Sequence, residues 1–170
     1  MRLIGSLGFV VAQKAVIGVE YEYSDYTRMW LDYDGSDVGR FDHVNDYILD
    51  NYRLGGALKI GGEYRLDNVS IRAGYHNVMN PYSAESRLPN GTSRTDFSQH
   101  TLTCGLGFRF GSMTLDLAYA NTLRGYNQMP YSTDIPFPFS SEEVPYATLL
   151  NVNQYKESVH QFLVSLGFRF

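Results

Sequence analysis

The chain has 170 residues, of which 44 % are hydrophobic and 15 % aromatic, and it carries 14 Lys and Arg against 18 Asp and Glu. This composition excludes a disordered or collagen-like chain, and the net charge of −4 argues against a nucleic-acid-binding protein. A single cysteine, Cys104, excludes an internal disulfide, and no stretch approaches the roughly 20 apolar residues that a membrane-spanning helix needs.

Apolar residues recur at every second position in seven segments, which is the pattern of half-buried β-strands. From Leu102 to Phe110, for example, the even-numbered residues are apolar and the odd-numbered ones are Thr, Gly and Arg. The sequence therefore predicts an all-β protein whose strands have one apolar and one polar face. In chain order the predicted strands lie near residues 3–10, 15–33, 53–66, 69–78, 98–110, 113–123 and 157–170.

Short and long connections alternate strictly between these strands. The short links lie near 11–14, 67–68 and 111–112, and the long ones near 34–52, 79–97 and 124–156. Long structureless loops are uncommon in compact soluble domains, whereas outer-membrane barrels combine short periplasmic turns with long external loops. We therefore predict an antiparallel up-and-down transmembrane β-barrel. A soluble lipid-binding β-barrel, whose apolar face would turn inward, is the alternative.

Two of the long loops contain apolar residues. Phe41, Val44, Ile48 and Leu49 stand at helical spacing and predict a short helix in the first loop, which is either a lid over the lumen or simple loop packing. The last loop is rich in Pro, Ile and Phe between residues 130 and 145. It either captures a hydrophobic ligand or folds back over the mouth of the barrel.

Charged residues occupy the predicted polar face. A two-residue turn at 67–68 would place Glu63 directly opposite Arg72, so that the two side chains pair. Such pairs either set the shape of the lumen wall or line a transport pathway. Two further pairs are predicted on this face: Lys59 opposite His76, and Arg109 diagonal to Asp116.

Catalytic, metal and cofactor sites find little support in the sequence. The four histidines do not stand at a fixed ligand spacing, and the acidic run from Asp32 to Asp37 lacks the glycine position and final Glu of a calcium loop. No GxSxG motif or clustered Ser/His/Asp set is present. We therefore expect no enzyme activity, no metal and no cofactor.

A short repeat marks three of the odd-numbered strands. Leu-Gly-Phe occurs at 7–9, 106–108 and 166–168, and the last two extend to LGFRF. The hairpin is therefore the expected repeating unit. Glycines on the polar face are expected where the wall of a barrel curves.

Three segments resemble the C-terminal half of FadL-type outer-membrane transporters for long-chain fatty acids and other hydrophobic compounds, particularly the divergent members in Bacteroidota. These segments are AVIGVEYEYSDYTRMWLDYD at 15–34, RLGGALKIGGEYRLDNVSIRAGYH at 53–76 and HQFLVSLGFRF at 160–170. The resemblance implies seven strands of a 14-stranded barrel, the outer membrane of a Gram-negative bacterium, and passive uptake of hydrophobic small molecules. A structural barrel or a platform for secreted proteins is the alternative function.

Seven strands would leave two unpaired edges facing hydrocarbon. We therefore expect missing N-terminal strands or another chain to close the barrel. The start of the sequence shows no clear signal peptide, so the chain is expected either to be mature or to lack its true beginning. The last strand resembles the signal that the outer-membrane assembly machinery recognises, an apolar stripe formed by Phe162, Val164, Leu166, Phe168 and Phe170.

Overall fold

The computed structural model describes residues 1–32, 34–35, 39, 41–87, 94, 96–128 and 153–169. In this part of the chain, seven strands form one antiparallel sheet in which every strand pairs with its neighbours in sequence. The predicted all-β, up-and-down antiparallel arrangement is confirmed. The described sheet is open, with the first and last strands as its edges. The strands are β1 (Arg2–Val11), β2 (Ala15–Asp25), β3 (Leu54–Leu66), β4 (Val69–Val78), β5 (Gln99–Phe110), β6 (Met113–Gln128) and β7 (Asn153–Phe168).

The three short connections are tight turns, as predicted. Asp67 adopts a positive φ of 44° between β3 and β4, and Gly111 adopts 59° between β5 and β6. In the first turn, Ala12 and Gln13 both have positive φ values. Left-handed residues in short hairpin loops match the twist of the flanking strands, so these turns fix the register of the three hairpins.

β2 is shorter than the predicted strand near 15–33, because it ends at Asp25. The Asp25 carboxylate accepts hydrogen bonds from the backbone N–H of Thr27 at 3.2 Å and from its hydroxyl at 2.6 Å. These local bonds compete with the sheet ladder and begin a 3₁₀ turn over Tyr26–Arg28. The alternation of apolar residues beyond Asp25 was therefore misleading.

The β6–β7 hairpin is longer than predicted. β6 runs to Gln128 instead of stopping near residue 123, and β7 begins at Asn153 instead of residue 157. Polar and aromatic cross-strand pairs carry this extension, including an ion pair between Arg124 and Glu157 at 2.6 Å. The residues in this extension do not alternate between apolar and polar, and that alternation was the basis for the predicted ends of β6 and β7. The Pro-rich segment between residues 130 and 145 lies outside the described residues.

The helix α1 (Asp42–Asn51) confirms the short helix that the spacing of apolar residues predicts in the first long loop. Asn45 is 2 % exposed, and it bonds both backbone groups of Leu31. Ser86 is also buried, and its hydroxyl donates to Asn51 Oδ1 at 2.7 Å. These contacts join residues 26–32, 41–53 and 79–87 into one packed unit, the loop cap, at the long-loop end of the sheet.

The hairpins are staggered by a constant step. Ala15, the first residue of β2, lies opposite Tyr64, two residues before the end of β3. Val69, the first residue of β4, lies opposite Phe108, two residues before the end of β5. The turn end therefore moves by two residues for every two strands, which is one residue per strand. Within the described residues, no helix is both long and apolar enough to cross a membrane.

Candidate functional site

The register divides the sheet into two chemically different faces. On one face, the large apolar side chains remain open to the surroundings, as in Leu7 at 67 % exposure and Phe162 at 79 %. The opposite face carries most of the charged strand residues and most of the glycines. Among the described hydrophobic residues, only Ile48 and Ala57 are buried, so neither face of the sheet is covered by a core.

The predicted pair of Glu63 and Arg72 is confirmed on the polar face. The two residues lie directly opposite each other in the β3–β4 ladder, and Arg72 Nε donates to Glu63 Oε2 at 2.7 Å. Arg65, two residues further along β3, also donates to the Glu63 carboxylate. The tight turn at 67–68 produces this geometry, because it sets the register of the hairpin.

Arg109 lies diagonal to Asp116, as predicted, but the expected pairing of the two side chains is wrong. Asp116 Oδ1 instead accepts from Arg72 Nη1 at 2.5 Å, so Arg72 reaches from β4 across β5 to β6. Gly107 lies opposite Asp116, and a Cβ there would come within 2.7 Å of Asp116 Oδ1 and 3.4 Å of the Arg72 guanidinium. Glycine therefore leaves the space through which Arg72 passes. In the part of the chain that the structure describes, Arg109 forms no ion pair.

Lys59 lies opposite His76 of β4, as predicted, but its ion-pair partner lies on β2, the other neighbouring strand. Lys59 Nζ donates to Glu20 Oε1 at 2.7 Å, across the β2–β3 ladder. On the same face, Arg2 pairs with Glu22 of the neighbouring strand at 2.6 Å. The sequence gives no direct signal for the Lys59–Glu20 pair, because β2 and β3 are joined by a long loop that does not define their register.

A row of glycines crosses the polar face. Gly8, Gly18, Gly61 and Gly74 lie opposite one another on four successive strands. The last three of these glycines border a hollow of about 420 Å³ that is also lined by Glu20, Lys59, His76 and Thr103. A second hollow of about 150 Å³ includes Arg65, Arg72 and Arg109 in its lining. Most of the residues that line the two hollows belong to the polar face of the sheet.

The last strand places its predicted stripe on the apolar face. Phe162, Val164, Leu166 and Phe168 are all exposed there, at 61 % or more. Phe170 lies outside the described residues. Cys104 is exposed on the same face, opposite Tyr119. Recognition of this stripe by the assembly machinery stays a prediction.

An aromatic cluster around Tyr82 joins the loop cap to Arg94 and Phe97. The Tyr82 ring lies 4.9 Å from that of Tyr52 and 5.1 Å from that of Phe97, and the Arg94 guanidinium lies 4.5 Å from its centroid. Hydrogen bonding to Tyr82 and partial burial raise the pKa of Tyr52 to about 12. These contacts make the cap a packed structure, and its role as a lid stays a prediction.

Metal-binding clusters are absent from the part of the chain described above, where no group of three or more His, Cys, Asp or Glu could hold an ion. Comparisons with protein-family models, curated proteins and solved structures find no match to this chain. The resemblance to FadL-type transporters therefore stays a prediction.

Proposed function

We propose that this chain forms part of the wall of an outer-membrane β-barrel through which hydrophobic small molecules, such as long-chain fatty acids, enter a Gram-negative cell passively. The observation that carries the proposal is the difference in chemistry between the two faces of the sheet, together with the position of the hollows. The hollows lie on the polar side, where Lys59 and Glu20 form one border, and the exposed apolar residues lie on the opposite side. A membrane barrel needs this arrangement, with polar groups facing its lumen and apolar groups facing lipid.

The ion pairs support a wet polar face. The Arg72 side chain is 44 % exposed and that of Asp116 is 39 % exposed, although they bond each other. Charges with this exposure are stable in contact with water, whereas hydrocarbon would impose a large desolvation penalty on them. A soluble lipid-binding barrel would instead place these charges outside and the apolar face inside.

The open edges determine what could complete the barrel. β1 and β7 run in the same direction, because each strand is antiparallel to the next. A segment that closes the sheet with antiparallel pairs on both edges must therefore supply an odd number of strands. Seven further strands, from an N-terminal part or another chain, satisfy this condition and give a 14-stranded barrel. Membrane insertion would then depend on the assembly machinery and the apolar stripe of β7.

Two glycines provide a matched test of this function. Gly18 is on the polar face and Gly5 on the apolar face, and a Cβ at either position would have no neighbouring atom within 4 Å. In a Gram-negative host that expresses the protein with any strands that complete it, we expect Gly18→Trp to lower uptake of a radiolabelled fatty acid several-fold. Gly5→Trp should preserve uptake, because its indole would face lipid.

Membrane fractionation and heat-modifiable mobility should show equal insertion of both variants. Insertion without any uptake by the unmodified protein would contradict transport and favour a structural or secretion-platform barrel. Recovery of the protein in the soluble fraction with bound lipid would contradict the membrane barrel itself.

A further inference from the structure

Two nearly identical polar clusters lie on the apolar face, each on the long-loop side of the apolar residues of its strands. In the first, the Tyr75 hydroxyl lies 2.8 Å from His100 Nδ1, and Asn77 Nδ2 lies 3.0 Å from the same nitrogen. The second cluster repeats this geometry, with the Tyr119 hydroxyl 2.8 Å and Asn121 Nδ2 3.2 Å from His160 Nδ1. We call these the β4–β5 cluster and the β6–β7 cluster.

A serine completes each cluster. Ser98 Oγ lies 3.4 Å from His100 Nε2, and Ser158 Oγ lies 3.2 Å from His160 Nε2. The Asn amide nitrogen can only donate, so its contact with the ring requires Nδ1 as the acceptor, while Nε2 faces the serine. Both imidazoles are exposed, yet both of their nitrogens have partners within the protein. Internal partners are needed where water is scarce.

The clusters belong to the sequence repeat. Ser-x-His precedes LGFRF by the same interval in both hairpins, at 98–100 before 106–110 and at 158–160 before 166–170. Tyr-x-Asn stands on the partner strand in both cases, at 75–77 and 119–121. The same combination of polar and apolar residues therefore occurs twice, with the polar cluster nearer to the long loops.

The stagger of the sheet brings both clusters to one level. His100 lies opposite Leu123 and His160 lies opposite Asn121, so the second cluster is displaced by two residues over two strands towards the short turns. This is the same step of one residue per strand that the turn ends show. With a rise of about 3.3 Å per residue and a strand separation of about 4.8 Å, the step corresponds to a strand tilt of about 35°. Outer-membrane barrels have tilts of roughly 35–45°.

The apolar band beside the clusters is about as tall as the apolar band of an outer-membrane barrel. The apolar residues of β5 extend from Leu102, next to the β4–β5 cluster, to Phe110 at the short turn. At a tilt of about 35°, these residues span about 22 Å along the membrane normal, against roughly 25 Å for the apolar band of an outer-membrane barrel. The clusters therefore lie at the boundary of this band.

We propose that the β4–β5 and β6–β7 clusters form a contact surface for lipid headgroups at a single depth, on the long-loop side of the membrane. This inference rests on the proposed function, because it requires the apolar face to contact lipid. Tyr suits such a boundary, because its ring is apolar and its hydroxyl polar. The His, Asn and Ser side chains present polar edges to the headgroups while their shared bonds limit the number of unpaired groups.

Depth-dependent fluorescence quenching tests this inference. The native Cys104 lies on the apolar face, four residues from His100, and serves as the deep probe when labelled with a small thiol-reactive fluorophore. The boundary probes are Ser98→Cys and Ser158→Cys in a Cys104→Ala background, which retain both histidines with their Tyr and Asn partners. Each full-length labelled protein is inserted into phosphatidylcholine vesicles that carry bromine atoms at a defined depth in the acyl chains.

We expect bromines near the bilayer centre to quench the probe at 104 most strongly. The probes at 98 and 158 should be quenched most by the shallowest bromines, with equal depth profiles. Deep quenching at 104 combined with unequal, deep or absent quenching at 98 and 158 would overturn the inference and leave the proposed function intact. Absence of quenching at all three positions would overturn both.

Discussion

Arg72 connects three strands through one side chain. Its guanidinium donates to Glu63 on β3 and to Asp116 on β6, while β5 passes beneath it at Gly107. Each half-exposed ion pair contributes little free energy, because water and salt screen it. The pairs are specific for one register, however, since a slip of one residue would move Arg72 to the other face.

The coupling between Glu63 and Arg72 is measurable in a double-mutant cycle. We expect Glu63→Gln and Arg72→Gln to show a coupling free energy of about 0.5–1 kcal/mol in unfolding from vesicles. Arg109→Gln is the control, because Arg109 lies on the same face without an ion pair in the described residues. A coupling indistinguishable from that of Glu63 with Arg109 would contradict the observed contact.

Close backbone approach distinguishes individual glycines. A Cβ on Gly56 would lie 2.0 Å from the backbone oxygen of Glu22, whereas one on Gly8 would have no neighbour within 4 Å. We expect Gly56→Ala to destabilise the protein by roughly 1–3 kcal/mol, because the β2–β3 backbones must separate. Gly8→Ala should change the free energy of unfolding by less than about 0.5 kcal/mol. Equal effects in chemical denaturation would refute this contact.

Contacts between individual residues can be predicted from the sequence where a tight turn fixes which residues lie opposite each other. The turn at 67–68 made the pair of Glu63 and Arg72 predictable. The pair of Lys59 and Glu20 was not predictable, because the long connection between β2 and β3 allows many registers. The contact of Arg72 with Asp116 requires knowledge that β5 has no side chain at position 107, directly below the guanidinium.

At the scale of elements, one buried amide joins α1 to the segment that follows the 3₁₀ turn at Tyr26–Arg28. Asn45 Nδ2 donates to the Leu31 carbonyl and Asn45 Oδ1 accepts from the Leu31 N–H, each at 2.9 Å. This is a complete pairing of both backbone groups of Leu31. Helical spacing predicted α1, but the partner of Asn45 lies 14 residues away in a segment that the sequence placed in a strand.

Removal of this amide should loosen the loop cap selectively. We expect Asn45→Ala to destabilise the packing of α1 by about 1–3 kcal/mol, because it leaves buried backbone groups of Leu31 without partners. Hydrogen exchange should accelerate at Leu31 and in α1 while the strand amides remain protected. Asp46→Ala, at the neighbouring exposed position, is the control. Similar exchange in both variants would contradict the role of Asn45.

At the scale of the whole molecule, the sheet is organised by the different chemistry of its two faces, because no core covers either face. The fold class was predictable because alternation alone defines strands and short turns define hairpins. Closure was not predictable, since no local pattern states which strand pairs with the free edges of β1 and β7. Large uncovered apolar surfaces are rare on soluble monomers, so the exposed apolar face needs a covering environment. In the proposed barrel, that environment is lipid.

Charge placed on each face tests this view of the whole sheet. Leu106 and Leu117 lie opposite each other on the apolar face, and Thr103 lies on the polar face of β5. We expect Leu106→Arg or Leu117→Arg to destabilise the vesicle-inserted protein by roughly 2–4 kcal/mol, because each places a cation in hydrocarbon near mid-depth. Thr103→Arg should have a far smaller effect, because its guanidinium would extend into water on the polar side. Unfolding from vesicles by denaturant measures all three. If Thr103→Arg proved the most destabilising, the apolar face would be the inner one, and a soluble lipid-binding barrel would replace the membrane barrel as the better explanation.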